Sequence, residues 1–517
     1  MRKREFAKAG SILFIGEIIT RTLGFLYLSP LENINPDIGR VSAYLMQPYL
    51  VFLTFAILGL SNVLLSRFSK VIEEEDKLNE EFANALTYIL IVSISSAVLL
   101  LVFAPSIIGI ISYTNISYNF VLARGLRILA IAVPFFAINI LLKCIMFAKH
   151  HYTTVSVTYV TEQVLKIAII LPGSYFVCNT LNLDVSYTAI ILALGTTLSV
   201  ISTTLIMLIS TKMNDILSFF NAKKVQINAL LMRILFVDGF VFFINGLFIL
   251  GFTLVDLLLF ERQMIHSSYS VDQVSMFSSI YFSWSWKIVS LAITFGTVFI
   301  TLMNRFVSTS PKAKKIREFS YIVDLVLIYS LLATVFFLTI GSDFYNFFYG
   351  PSLEESYAAQ VVIRTQGLLV PVYILRSLFS VYSLINNRKL SIIVSVGVMF
   401  IIKIVLSPLL FNVYILNGYI YASMIATIVS LLILFFMDLK IYNFNFQEII
   451  NKAIIIVKFA VIFLIVSILY SFMPSAITST FIIFIIKSAI LLLLTLLFFL
   501  KEVIQYKKQY GGSNEER

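Results

Sequence analysis

Arg127–Pro134 reads RILAIAVP, and Arg364–Pro371 reads RTQGLLVP. The two share an arginine and a Val-Pro at the same spacing. Continued without a gap, the overlay sets VLKI (Val164–Ile167) on IIKI (Ile401–Ile404), so Lys166 falls on Lys403. A second overlay places ILFIGEIITRTLGFLYL (Ile12–Leu28) on ILFVDGFVFFINGLFIL (Ile234–Leu250), with Gly24 on Gly246. Shared apolar letters carry little weight in so biased a composition. Charged residues and a proline that keep register carry more. The expectation is one six-span unit present twice in the same orientation, a plan that transporters use repeatedly.

Composition sets the solvent. Of the 517 residues, 59% are hydrophobic and 13% charged, and the mean hydropathy is +0.96. A soluble domain carries about a quarter charged residues. The predicted class is therefore all-α and polytopic, with about fourteen transmembrane helices of roughly 20 residues each. They fall near 8–29, 42–66, 84–111, 122–147, 153–177, 188–210, 228–253, 274–303, 319–341, 358–385, 390–412, 418–437, 453–473 and 479–500. The expected organisation is two parallel six-helix bundles, 1–212 and 213–450, two additional helices over 451–500, and a tail at 501–517.

The formal charge of +11 is unevenly placed. Arg2, Lys3, Arg4 and Lys8 precede the first span, and alternate loops carry Arg67, Lys70 and Lys77, Lys223 and Lys224, Lys312 to Arg317, and Arg388 with Lys389. The opposite loops hold chiefly Arg40 and Arg262. By the positive-inside rule both termini are expected in the cytoplasm. The basic excess is then a topology signal, and no nucleic-acid partner is needed to explain it. Cys144 and Cys178 are far apart and form neither a disulfide framework nor a metal site. No GxxxxGK[ST] loop is present, and no cofactor is implied.

Charges inside the spans are the candidate machinery. An arginine at the centre of a membrane helix costs about 2.5–3.5 kcal/mol and faces a bundle interior or a water-filled cavity. Glu17 and Arg21 are four apart with the acid first, as are Glu162 and Lys166, the order that favours a helical pair. Each pair either fastens helices together or belongs to a binding site. The substrate-facing set is Arg21, Glu17, Glu162, Lys166, Lys287 and Lys403. Arg127, Arg364, Asp238 and Asp256 are the gating or cavity charges. Lys143, Arg233 and Arg376 are read as reaching towards a surface. Cations outnumber carboxylates in the first eleven spans, which suits an anionic substrate. The last two spans, apart from Lys458 and Lys487, read as plain lipid-facing helices or as a groove for a hydrocarbon tail.

TRTLGFLYLSPL followed by AYLMQPYLVFLTFAILGLSNVLLSRFSK resembles the first two spans of the polysaccharide-transport branch of the multidrug/oligosaccharidyl-lipid/polysaccharide exporter superfamily. Within it, the chain is similar to stage V sporulation protein B relatives and MurJ-type lipid II flippases. The Val-Pro of span four, Glu162-Gln163 with Lys166, and Lys403 fit the same branch. The resemblance implies an alternating-access flippase, not an enzyme, that moves an undecaprenyl-pyrophosphate-linked saccharide outwards across a bacterial cell membrane. It implies a cationic cavity for the pyrophosphate, with Arg21 carried over from the arginine before Leu-Gly, and a lipid-tail groove on the last two helices. Lys287 stands where relatives tend to have proline, and the second-span arginine of the Gram-negative type has no clear counterpart.

The expected partners are the glycan lipid, membrane lipids, and a coupling ion or the membrane potential, with the protein a monomer. Other readings are a flippase for a capsule, teichoic-acid or O-antigen lipid, and a cation-coupled multidrug exporter. A membrane glycosyltransferase or polymerase is disfavoured because the outer loops are short, the longest being DLLLFERQMIHSSYSVDQ and DFYNFFYGPSLEES.

Overall fold

Inside a bilayer every backbone N–H and C=O must be satisfied within the protein, and a long aliphatic run does this most simply as a helix. The computed structural model describes residues 16, 18–57, 64, 67–68, 71–112, 116–217, 228–309, 312–350, 353–442, 446–472 and 480–511, and no strand occurs among them. Packing divides the chain into two compact units, Met1–Trp284 and Ser285–Arg517.

The first unit contains α1 (18–26), α2 (Leu28–Ile34), α3 (Ile38–Ile57), α4 (Glu75–Ile111), α5 (Ile116–Ala148), α6 (Tyr152–Tyr175), α7 (Thr188–Met213), α8 (Ala229–His266) and α9 (Val271–Ser279). Helix α5 packs along α4 and α7, α6 along α7, and α3 along α4 and α8. At one end Phe68, Phe82, Leu141, Ile145, Met207 and Leu235 form a common buried core. Helix α8 opens the second repeat in sequence but packs on α3 and α4. The packing division therefore lies at Trp284, well beyond the repeat boundary expected at 212/213.

The second unit contains α10 (Ser285–Thr309), α11 (Lys312–Thr339), α12 (Gly341–Tyr349), α13 (Leu353–Gly367), α14 (Leu369–Ile385), α15 (Lys389–Tyr414), α16 (Leu416–Met437), α17 (Leu439–Tyr442), α18 (Phe446–Ser471) and α19 (Thr480–Gly511). The Val-Pro motif acts differently in the two repeats. Pro134 lies within continuous α5, whereas the helix breaks at Leu368, just before Pro371. A proline cannot donate to the carbonyl four residues back. That carbonyl, on Gly367, accepts from Thr334 Oγ1 at 3.2 Å instead.

Twelve helices among the described residues are long and apolar enough to cross a membrane, against about fourteen expected. The difference has two sources. The first expected span, 8–29, lies partly outside the described residues. The eighth, 274–303, runs helical from α9, which starts at a Ser270/Gln273 capping box, through a π-turn at Ile280–Trp284 into α10, and part of its apolar run has side chains outside the described residues.

The last two helices are less plain than their sequence. Phe459, Ile462 and Val466 of α18 bury against Val335 and Ile340, and Leu491 and Phe499 of α19 join them. Lysines then fasten the joints. Lys452 reaches Asp324 at 3.1 Å and Ser320 at 2.8 Å, and Lys458 donates to the Phe498 carbonyl at 3.2 Å. Lys487 pairs with Asp343 of α12 at 2.6 Å. Ile456, Val457, Leu464, Leu492, Leu493 and Leu497 remain exposed.

Candidate functional site

The candidate site lies in the first unit, where α1 meets α6. Close approach is possible because glycines stand there, Gly16 just ahead of α1 and Gly24 within it. A Cβ on Gly16 would lie 2.7 Å from Ser156 Cβ, and one on Gly24 would lie 3.5 Å from Gln163 Oε1. Both contacts advance together along the two helices, so the helices run parallel. Arg21, between the two glycines, is half-buried and level with the Glu162 turn of α6. Glu17 lies outside the described residues.

Glu162 and Lys166 project from one face of α6, yet they do not pair. Glu162 Oε2 lies 4.0 Å from Lys143 Nζ on α5 instead. Lys143 is buried, and its ammonium sits 4.0 Å from the Tyr159 ring centroid. It does not reach for a surface, because burial between α5 and α6 leaves it no route and Glu162 supplies the counter-charge. Lys166, half-buried, has no ion pair or hydrogen bond among the described residues. The arrangement is thus a neutralised pair beside a cation with charge to spare.

The other expected site residues are dispersed. Lys403 is completely buried on α15, where Nζ donates to the Tyr419 carbonyl at 2.9 Å and to Ser423 Oγ at 2.7 Å. This ties α15 to α16, and the ammonium is directed at a helix–helix seam rather than at a ligand. Lys403→Met is accordingly expected to cost about 1–2 kcal/mol of stability through the lost charge-assisted bonds. It should leave transport near wild type, as a melting curve read beside a transport assay would check.

Lys287 is exposed on α10. Arg127 is exposed and donates from Nε to the Leu101 carbonyl at 3.3 Å, and Arg364 is exposed on α13. Exposure on a helix flank does not fit a closed gate for either arginine. Asp256 is buried and accepts from the Tyr281 hydroxyl at 3.0 Å. Asp238 is helical, but its side chain lies outside the described residues. Arg233 is exposed, as expected for a residue reaching outwards. Arg376 departs from that expectation: it is fully buried, with Nε 3.4 Å from Ser430 Oγ.

One cluster carries no signal in the sequence. Arg40, expected in a loop, is buried at the start of α3, and its Nη2 donates to Glu261 Oε1 of α8. Residues so far apart in the chain leave no spacing from which the pair could be read.

Against known proteins, the chain is 22% identical over 473 residues to the lipid II flippase MurJ of Bacillus subtilis (strain 168), covering 87% of this chain and 86% of that one. The solved inward closed conformation of lipid II flippase MurJ superposes with a TM-score of 0.70 at 14% identity, covering 96% of this chain and 99% of that one. The chain has the MurJ fold. Inward-facing coordinates of a MATE family multidrug resistance transporter of the MOP superfamily match less well, with a TM-score of 0.59 at 11% identity and 84% of this chain covered. MurJ and MATE transporters are both members of that superfamily, so the resemblance read from the first spans is borne out. No family model matches the chain.

Proposed function

We propose that this protein is a flippase that carries an undecaprenyl-pyrophosphate-linked saccharide, lipid II, from the inner to the outer leaflet of a bacterial cell membrane by alternating access. A pyrophosphate with its sugars cannot cross hydrocarbon unaided, because burying unpaired charge costs many kcal/mol. A protein route must offer polar, cationic surface within the membrane. The observation that carries the reading is the surplus charge on α6: Lys143 takes Glu162, which leaves Lys166 without an ion pair among the described residues and available to an anion. Likeness to MurJ over nearly the whole chain supports the same substrate class.

Both termini are placed in the cytoplasm on the distribution of Lys and Arg. Energy comes from the membrane potential or an ion gradient, with about 2.3 kcal/mol available per charge per 100 mV. The test is the amount of lipid II open to a membrane-impermeant reagent at the outer face of cells depleted of the protein. Loss of exposed lipid II with accumulation inside is expected. Unchanged lipid II with accumulation of a different undecaprenyl-linked glycan would replace lipid II by that glycan as the substrate.

A further inference from the structure

Two lysines compete for one carboxylate. Glu162 and Lys166 have the spacing and order that favour pairing along a helix. Lys143, on the neighbouring helix, nevertheless holds Glu162 at 4.0 Å. Burial decides the contest. Lys143 is only 5% exposed, whereas Lys166 is half-buried. An ammonium without a counter-charge costs more the drier its surroundings, so the carboxylate goes where its absence would cost most. The Tyr159 ring, 4.0 Å from the ammonium, holds Lys143 in place on that side.

We propose that Lys143 is a positioning residue for anion binding: by occupying Glu162, it keeps Lys166 unpaired for the diphosphate of a lipid-linked substrate. The inference rests on the proposed function, since it requires an anionic group to enter the first unit. Without Lys143, the Glu162 carboxylate turns to Lys166, one helical turn along on the same face. The lysine that should meet the substrate is then already neutralised.

The test uses full-length protein in detergent with geranylgeranyl pyrophosphate as probe, and reads Kd together with the melting temperature. Lys143→Met and Lys166→Met should each weaken binding about tenfold, the value of one charge-assisted contact. The double variant should bind no worse than either single one, because both remove the same cation from use. Adding Glu162→Gln to Lys143→Met should restore binding, since nothing is left to capture Lys166. Adding it to Lys166→Met should not. Lys143→Arg should bind like wild type.

A purely structural Lys143 gives a different pattern. Lys143→Met would then lower the melting temperature while folded protein bound the probe as wild type does, and that result overturns the proposal. Losses that multiply in the Lys143→Met/Lys166→Met protein overturn it as well. If the wild-type protein fails to bind the probe, the substrate reading itself falls, and the inference falls with it.

Discussion

Glu261→Ala is expected to destabilise the first unit by about 3–5 kcal/mol, the cost of leaving one member of a buried ion pair uncompensated. Glu261 is completely inaccessible and Arg40 is 5% exposed. The same carboxylate oxygen that receives Arg40 also accepts from the Tyr44 hydroxyl at 2.6 Å. The guanidinium carbon lies 5.3 Å from the centre of the Tyr44 ring and 5.2 Å from that of Tyr118. Around this pair, Ser279 Oγ accepts from the Arg40 amide at 3.0 Å, and Ser283 Oγ donates to the Gly39 carbonyl at 2.6 Å. The first turn of α3 is thereby fastened to the end of α8 and to the turn after α9. Arg40→Met with Glu261→Met removes both charges and should recover most of the loss, because an apolar replacement of similar volume avoids burying a lone ion. Thermal denaturation of the detergent-purified protein checks both statements. A Glu261→Ala protein that melts with wild type would show that the pair carries no weight.

Gly418→Ala should cost about 3 kcal/mol, at the upper end for overpacking, because the obstacle is backbone rather than a movable side chain. Helices α15 and α16 are joined through Ile415 alone, at φ +52. A Cβ on Gly418 would meet the Leu410 carbonyl oxygen at 2.3 Å and the Phe411 nitrogen at 2.5 Å. Relieving that contact means parting the helices at the turn, and the seam two turns further along is the one that Lys403 fastens. Gly397, in the interior of α15, is the control. A Cβ there has nothing within 4 Å, so Gly397→Ala should gain up to about 1 kcal/mol from helix propensity. Similar melting temperatures for the two variants would contradict this account of the turn.

The helical, membrane-spanning class was legible in the sequence because length and hydropathy suffice for it in a bilayer, where backbone hydrogen bonding leaves few alternatives. The eighth span is helical as expected, but apolar letters that continue across Ile280–Trp284 carry no sign of the π-turn there, which packs on α3. Side-chain partners were less legible than spans. Glu162 followed by Lys166 has the spacing of a pair, but helix spacing says nothing of a third group on another helix, and Lys143 wins the carboxylate. Lys403 held register with Lys166 in the repeat, yet one is completely buried and the other half-buried. Shared position transmitted the residue type and not its surroundings. Arg40 reads as a loop charge in the sequence because its partner is two hundred residues and more away.

On the proposed function, Arg21 of α1 and Lys166 of α6 bear an anionic lipid headgroup across the membrane. Purified protein reconstituted into vesicles holding fluorescent lipid II tests it most directly, with the fraction of label open to a membrane-impermeant quencher followed over time. Wild-type protein should move lipid II between leaflets, while Arg21→Ala/Lys166→Met, inserted to the same level, should fall at least tenfold towards the rate of empty vesicles. Equal rates for the two proteins would contradict the assignment of these cations to the substrate.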